Sequence, residues 1–197
     1  MCMADFRFRP VKKTDINQLL SIPFGHDGST GVLFGGSIDL TWYGCWRGGL
    51  CVDFMKLFGT TREWRIKTDV DQTDLLLLAK ACARKEWGMV QDYTVYTMLD
   101  HVWGGCSLGA AYHHIKHNKD KFSLAGQTFS ELIANTAESL KEWTTHEFMF
   151  SFALDFGHYL SSECRAIPEL SFYYRQPFSG RRVVQGKSIG VEFTIDF

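Results

Sequence analysis

His113, His114 and His117 stand close together, and His113 and His117 are four residues apart. On a helix that spacing places two imidazoles on one face, as a pair of metal ligands requires. No glutamate lies between them and no third ligand follows from the sequence, so no metal is assigned. Leu108, Ala111, Tyr112 and Ile115 would take the core face of such a helix, leaving His113, Lys116 and His117 solvated near its C-terminal end. The loop Gly25-His26-Asp27-Gly28-Ser29-Thr30-Gly31 has amides suited to cradling a phosphate. It opens onto Val32-Leu33-Phe34, a strand pattern, where a phosphate loop would open onto a helix. A hairpin or binding loop that includes His26 is expected instead. Trp42, Tyr43, Trp46 and Arg47 follow, residue types enriched at binding hot spots and also able to stack nucleobases. Alternation puts Trp42 and Tyr43 on opposite sides of a strand, so one ring is expected to be exposed.

Arg47-Gly48-Gly49-Leu50-Cys51 resembles the RGGxC motif of arylamine N-acetyltransferases, and Ile22-Pro23-Phe24 lies upstream where that family has an Ile-Pro-Phe segment. The resemblance covers the first third of the chain. It implies a cysteine nucleophile at a helix N-terminus, where the positive helix end favours the thiolate. Cys51 to Phe58 has the spacing for such a short helix. His101 or His158 would then be the base; the Asp155-Phe156-Gly157 segment faintly resembles the family's acidic motif. Gly105-Cys106-Ser107-Leu108-Gly109 looks like the G-x-S-x-G elbow of lipases. Asp155 and His158 follow in the right order but too close together for separate strand ends, which makes Ser107 a helix cap in a glycine turn.

Positioning these groups requires a scaffold, and its clearest part is Thr128 to Phe156. Thr128 and Glu131 fit a capping box, and Phe129, Leu132, Ile133, Thr136, Leu140 and Trp143 recur at helical spacing. From Glu147 the period becomes two, with Phe148, Phe150, Phe152, Leu154 and Phe156 on one side. The expectation is a phenylalanine-faced strand covered by the helix that precedes it. Helices are predicted at about 73–87, 107–118 and 128–143. C-terminal strands are predicted at about 147–156, 169–176 and 181–197, with Pro177 to Gly180 turning the chain. A short strand at Phe6–Phe8, a helix from Thr14 to Leu20, strands joined by tight turns across Gly25–Gly49, and strands at Trp64–Lys67 and Tyr93–Trp103 complete the pattern. The predicted class is α+β with an antiparallel sheet, in one domain spanning 1–197.

Composition bounds what this fold does. Formal net charge is −1, so no global field recruits nucleic acid. Six cysteines without a CxxC pair read as reduced thiols in a chain large enough to need no staples. The longest apolar run, Leu75 to Ala79, is far below the roughly 20 residues of a membrane-spanning helix. Ile189 to Phe197 alternates and ends in Phe, as the last strand of an outer-membrane barrel does. With a helical middle and no export signal, it is assigned to a soluble sheet. The leading expectation is an intracellular, cytoplasmic binding protein that recognises a protein or small ligand through segment 25–49, using His26, Trp42, Tyr43, Trp46 and Arg47. It carries no cofactor and meets no membrane. The second is a cysteine-dependent acyltransferase or hydrolase using Cys51; the third is a nucleic-acid binder using Arg7, Arg9, Arg47, Arg181 and Arg182.

Overall fold

Alternation governs far more of the chain than its ends. The computed structural model describes residues 2–5, 17, 27–74, 76–126, 128–158 and 167–196. The early strand at Phe6–Phe8, the helix from Thr14 to Leu20, Ile22-Pro23-Phe24 and His26 lie outside them. The protein is mostly β, 66% strand and 6% helix, which overturns the α+β expectation.

Eight strands form one antiparallel sheet: β1 (Cys2–Asp5), β2 (Gly31–Trp42), β3 (Trp46–Leu57), β6 (Met89–Trp103), β7 (Cys106–His117), β9 (Trp143–Asp155), β10 (Ile167–Arg181) and β11 (Ser188–Asp196), in that spatial order. A second sheet has three strands, β4 (Thr60–Ile66), β5 (Ala79–Glu86) and β8 (Lys121–Leu124). The large sheet has two unlike ends. At one, tight turns join β2 to β3 and β6 to β7, with positive φ at Tyr43, Gly44, Gly104 and Gly105. The Gly104-Gly105 pair meets the need of a two-residue primed turn for left-handed backbone. At the other end the chain leaves on two long excursions, 58–88 and 118–142, which supply the second sheet.

Two of the three expected helices fail for one reason: a spacing of four is even, so residues at i and i+4 share a face in a strand as well as in a helix. Segment 73–87 contains β5, where Ala79, Ala81 and Ala83 turn inward while Lys80, Arg84 and Glu86 are exposed. Its alanines carry high helix propensity, which tertiary pairing overrides. Segment 107–118 is β7, paired along its length with β6 and β9. Segment 128–143 keeps only a four-residue helix α1 (Glu131–Ala134) and a 3-10 turn (Glu138–Leu140). The capping box does not form, because Glu131 Oε2 accepts from the Leu124 amide of β8 at 3.2 Å. Asn135 bonds both backbone groups of Phe122 at 2.8 and 2.9 Å, standing in for a strand at the β8 edge. Cys51 to Phe58 is also strand, not helix. Pro177 to Gly180 is a bulge inside β10, and the chain turns at 182–187 instead.

The dry core belongs to the small unit. Ala83, Phe122, Ala137 and Leu140 are buried together, with Trp64 and Leu124 packed against them. Leu140→Ala is expected to destabilise this unit by about 2–5 kcal/mol, the usual cost of emptying a filled site, read as a shift in its urea midpoint.

Candidate functional site

Residues directly opposite one another share a face, so the registers fix the two sides of the large sheet. On one side β2 shows Phe34, Ile38, Leu40 and Trp42, and β3 shows Trp46, Leu50, Val52 and Phe54. The same side continues through Tyr93, Val95 and Leu99 of β6 and Leu108, Ala110 and Tyr112 of β7. Phe148, Phe150, Phe152 and Leu154 of β9 follow, then Leu170, Phe172 and Tyr174, and last Ile189, Val191, Phe193 and Ile195. Gln91, Thr97, Thr144 and Gln176 are among its polar interruptions, and Lys56, Lys116 and Arg181 carry charge at its excursion end. Among the described residues nothing covers it: Val95 and Phe150 are both 52% exposed and Ile189 is 80% exposed. The expectation that helix 128–143 would cover Phe148, Phe150 and Phe152 is therefore corrected. That segment packs on β8 and leaves the phenylalanines bare. A shallow groove of about 870 Å³ runs across this face between Trp46, Leu108, Phe150, Phe172 and Ile189.

The carboxylates of the same strands, among them Asp39, Asp53, Asp92, Asp100, Glu147 and Glu192, all have the opposite parity. Here small residues let large ones lie flat. A Cβ on Gly190 would sit 2.0 Å from the Tyr173 ring, and one on Gly49 would sit 2.7 Å from the Tyr96 hydroxyl. Asp53 and Asp92 oppose each other directly. Next to them Thr94 Oγ1 lies 2.9 Å from His113 Nδ1, and Thr94 donates to Asp92. This side is half-buried and largely polar, while the bulky apolar side is exposed. That is the reverse of a water-soluble sheet, which hides its apolar side.

Aromatic residues bound the apolar face at both ends. Near the tight turns stand Trp42 and Trp46, with centroids 5.7 Å apart, and Trp103, 80% exposed. Trp46 Nε1 donates to Thr97 Oγ1 at 2.6 Å. Toward the excursions His114 stacks on His146 at 4.5 Å, flanked by Tyr93, Tyr112 and Phe178. From His146 to Leu154 is about 27 Å along the strand.

The expected chemical groups do not assemble. Cys51 opposes Thr94 in the middle of β3, away from any helix end, and its thiol donates to Asp53 Oδ2 at 3.4 Å. His101 lies about 24 Å farther along β6 than Thr94. His158 follows β9 in a 3-10 turn, beyond Asp155, itself about 27 Å from the Glu147 level that Cys51 shares. Ser107 accepts from the His101 amide at 3.3 Å. His113 and His117, in a strand, are about 14 Å apart, and among the described residues no group of His, Cys, Asp or Glu is placed to hold a metal ion. Arg47 pairs with Asp100 on the polar side. Tyr43 tops the first turn at 94% exposure. Iodoacetamide is expected to modify exposed Cys45 and Cys82 ahead of Cys51, as peptide mass spectrometry would read. Cys51 reacting first would restore the nucleophile.

No protein-family model, curated protein or solved structure matches the chain. Among the described residues no helix is long and apolar enough to cross a membrane; strands are a separate question. The outward apolar set was overlooked in the sequence, although it left a signal: the alternation assigned to β9 and β11 also runs through β2, β6 and β7.

Proposed function

We propose that the large sheet is embedded in a lipid bilayer as part of a β-barrel-type wall. Its apolar face contacts acyl chains, and its polar face lines an aqueous interior. The observation that carries this reading is the partition of charge: along β2 to β11 of the large sheet, among the residues described from 31 to 195, every carboxylate is on one side and none is on the other. Random placement on an exposed surface does not sort acids this way, and a bilayer does. Dimensions agree. About 27 Å of strand tilted by roughly 40° rises about 21 Å, near the apolar band of roughly 25 Å in membrane barrels, which is also edged by aromatic girdles. The tight β2–β3 and β6–β7 turns at one end and the two long excursions at the other follow the same plan. An exposed apolar surface of this extent is far beyond the few hundred Å² an isolated soluble protein tolerates.

This reading replaces the cytoplasmic location and the membrane-free partner list expected from the sequence. The recognition role of segment 25–49 changes with it: Trp42, Tyr43 and Trp46 become anchors at the water–lipid boundary, where amphipathic rings are favoured. Fluorescence of the protein reconstituted in phosphatidylcholine vesicles tests it. Lipids brominated on the acyl chains should quench part of the tryptophan emission. A protein that stays monodisperse without detergent and shows no quenching would overturn the reading.

A further inference from the structure

The apolar face has charge at only one end. In regular register its only charged residues among those described are Lys56, level with Met89 and Val32, and Lys116, level with Gln91 and Thr144. Past the bulge in β10, Arg181 opposes Thr144 and so joins the same side. All three lie toward the long excursions, Lys116 and Arg181 one step and Lys56 two steps beyond the belt of Tyr93, His114, His146 and Phe178. Lys116 has no ion-pair partner among the described residues. Arg181 reaches Glu142 at 3.6 Å yet remains 64% exposed. The order along the strands is thus acyl-facing side chains, then polar-tipped rings, then cations. Tyr112 and His146 already share a hydrogen bond of 2.8 Å within the belt.

We infer that this rim binds the phosphate groups of anionic lipids in the leaflet on the excursion side. The inference rests on the bilayer reading and adds a lipid class and a leaflet to it. Charge complementarity and continuity argue for a lipid occupant: Arg181 and Lys56 are exposed and Lys116 half-buried beside an apolar surface that already requires acyl chains. Lys56 Nζ also donates to the Trp87 carbonyl, and lysine stems can lie along that surface while their heads reach the headgroups. Glu142 reaches Arg181, and among the described residues no carboxylate pairs with Lys56 or Lys116. A protein partner would have to match both the apolar field and the cations.

The full chain, folded in detergent, would be mixed with vesicles of phosphatidylcholine alone and of phosphatidylcholine with phosphatidylglycerol, at low and high salt. The rim variant carries Lys56→Gln, Lys116→Gln and Arg181→Gln. A control carries Lys80→Gln, Arg84→Gln and Arg175→Gln, which remove equal charge from the second sheet and the polar face. The wild type should favour the anionic vesicles at low salt, and screening should erase that preference. The rim variant should lose up to about fivefold of it per residue neutralised, the factor for about 1 kcal/mol per basic group near an anionic surface. The control should keep it. Equal wild-type binding to both vesicles, or a preference that the rim variant retains in full, overturns the inference and leaves the bilayer reading intact. Entry into neither vesicle overturns both.

Discussion

Phe150→Arg is expected to lower partitioning into phosphatidylcholine bilayers by about 30- to 1,000-fold, corresponding to roughly 2–4 kcal/mol for arginine at the midplane of a barrel wall. Phe150 stands between the two aromatic belts, between Ala110 of β7 and Tyr174 of β10, with half its surface free. An arginine there must sit in hydrocarbon or drag water toward it. Glu169→Arg makes a larger charge change on the opposite side of β10, at an exposed position. It should cost no more than about 0.5 kcal/mol. Co-flotation with vesicles measures both. Equal losses would mean that the two sides of the sheet share one environment.

Asp120→Ala is expected to cost the excursion-borne unit about 3–5 kcal/mol, because it strands a buried cation. Asp120 is 2% exposed and joins three partners. Its carboxylate accepts from the Gly88 amide at 2.6 Å and pairs with Lys85 at 3.0 Å and His117 at 3.3 Å. Lys85 in turn lies 3.6 Å from the Trp87 ring centroid. Burial holds the Lys85 ammonium below its usual value, and the Asp120 carboxylate opposes that shift. The folded unit therefore binds fewer protons than the unfolded chain in the alkaline window just below the ordinary lysine value. Stability there should rise with pH. Without Asp120 the Lys85 value falls further, so the window should widen downward. Trp64 and Trp87 emission during urea unfolding in detergent, followed at several pH values, reads both effects.

The sequence left two alternating runs legible and the class not. Phe148 to Phe156 and Ile189 to Phe197 announced themselves because one parity is wholly apolar; β9 carries the first run as far as Asp155 and β11 the second as far as Asp196. The same parity in β7 was hidden: Leu108, Ala110, Tyr112 and His114 alternate with Gly109, Ala111 and His113, so neither set is plainly polar. With every four-residue spacing shared by both periods, Leu108–Tyr112 and His113–His117 could be fitted to a helix. β5 was hidden by alanine. The direction of burial could not be read from pattern at all, since alternation says that two sides differ and not which one meets water. Only the carboxylates decide that, and their common parity emerges once register places Asp53 beside Asp92 and Glu147 beside His113. Cys51 looked like a nucleophile because glycines before a cysteine also suit a strand that needs room for Tyr96.

The second sheet takes β4 and β5 from one excursion and β8 from the next. It therefore clasps the β3–β6 and β7–β9 junctions at the end where no tight turn holds them. Strands β3, β6, β7 and β9 cannot peel apart there unless that clasp opens first. Amide hydrogen exchange should consequently advance inward from β1 and β11, and reach the four clasped strands last.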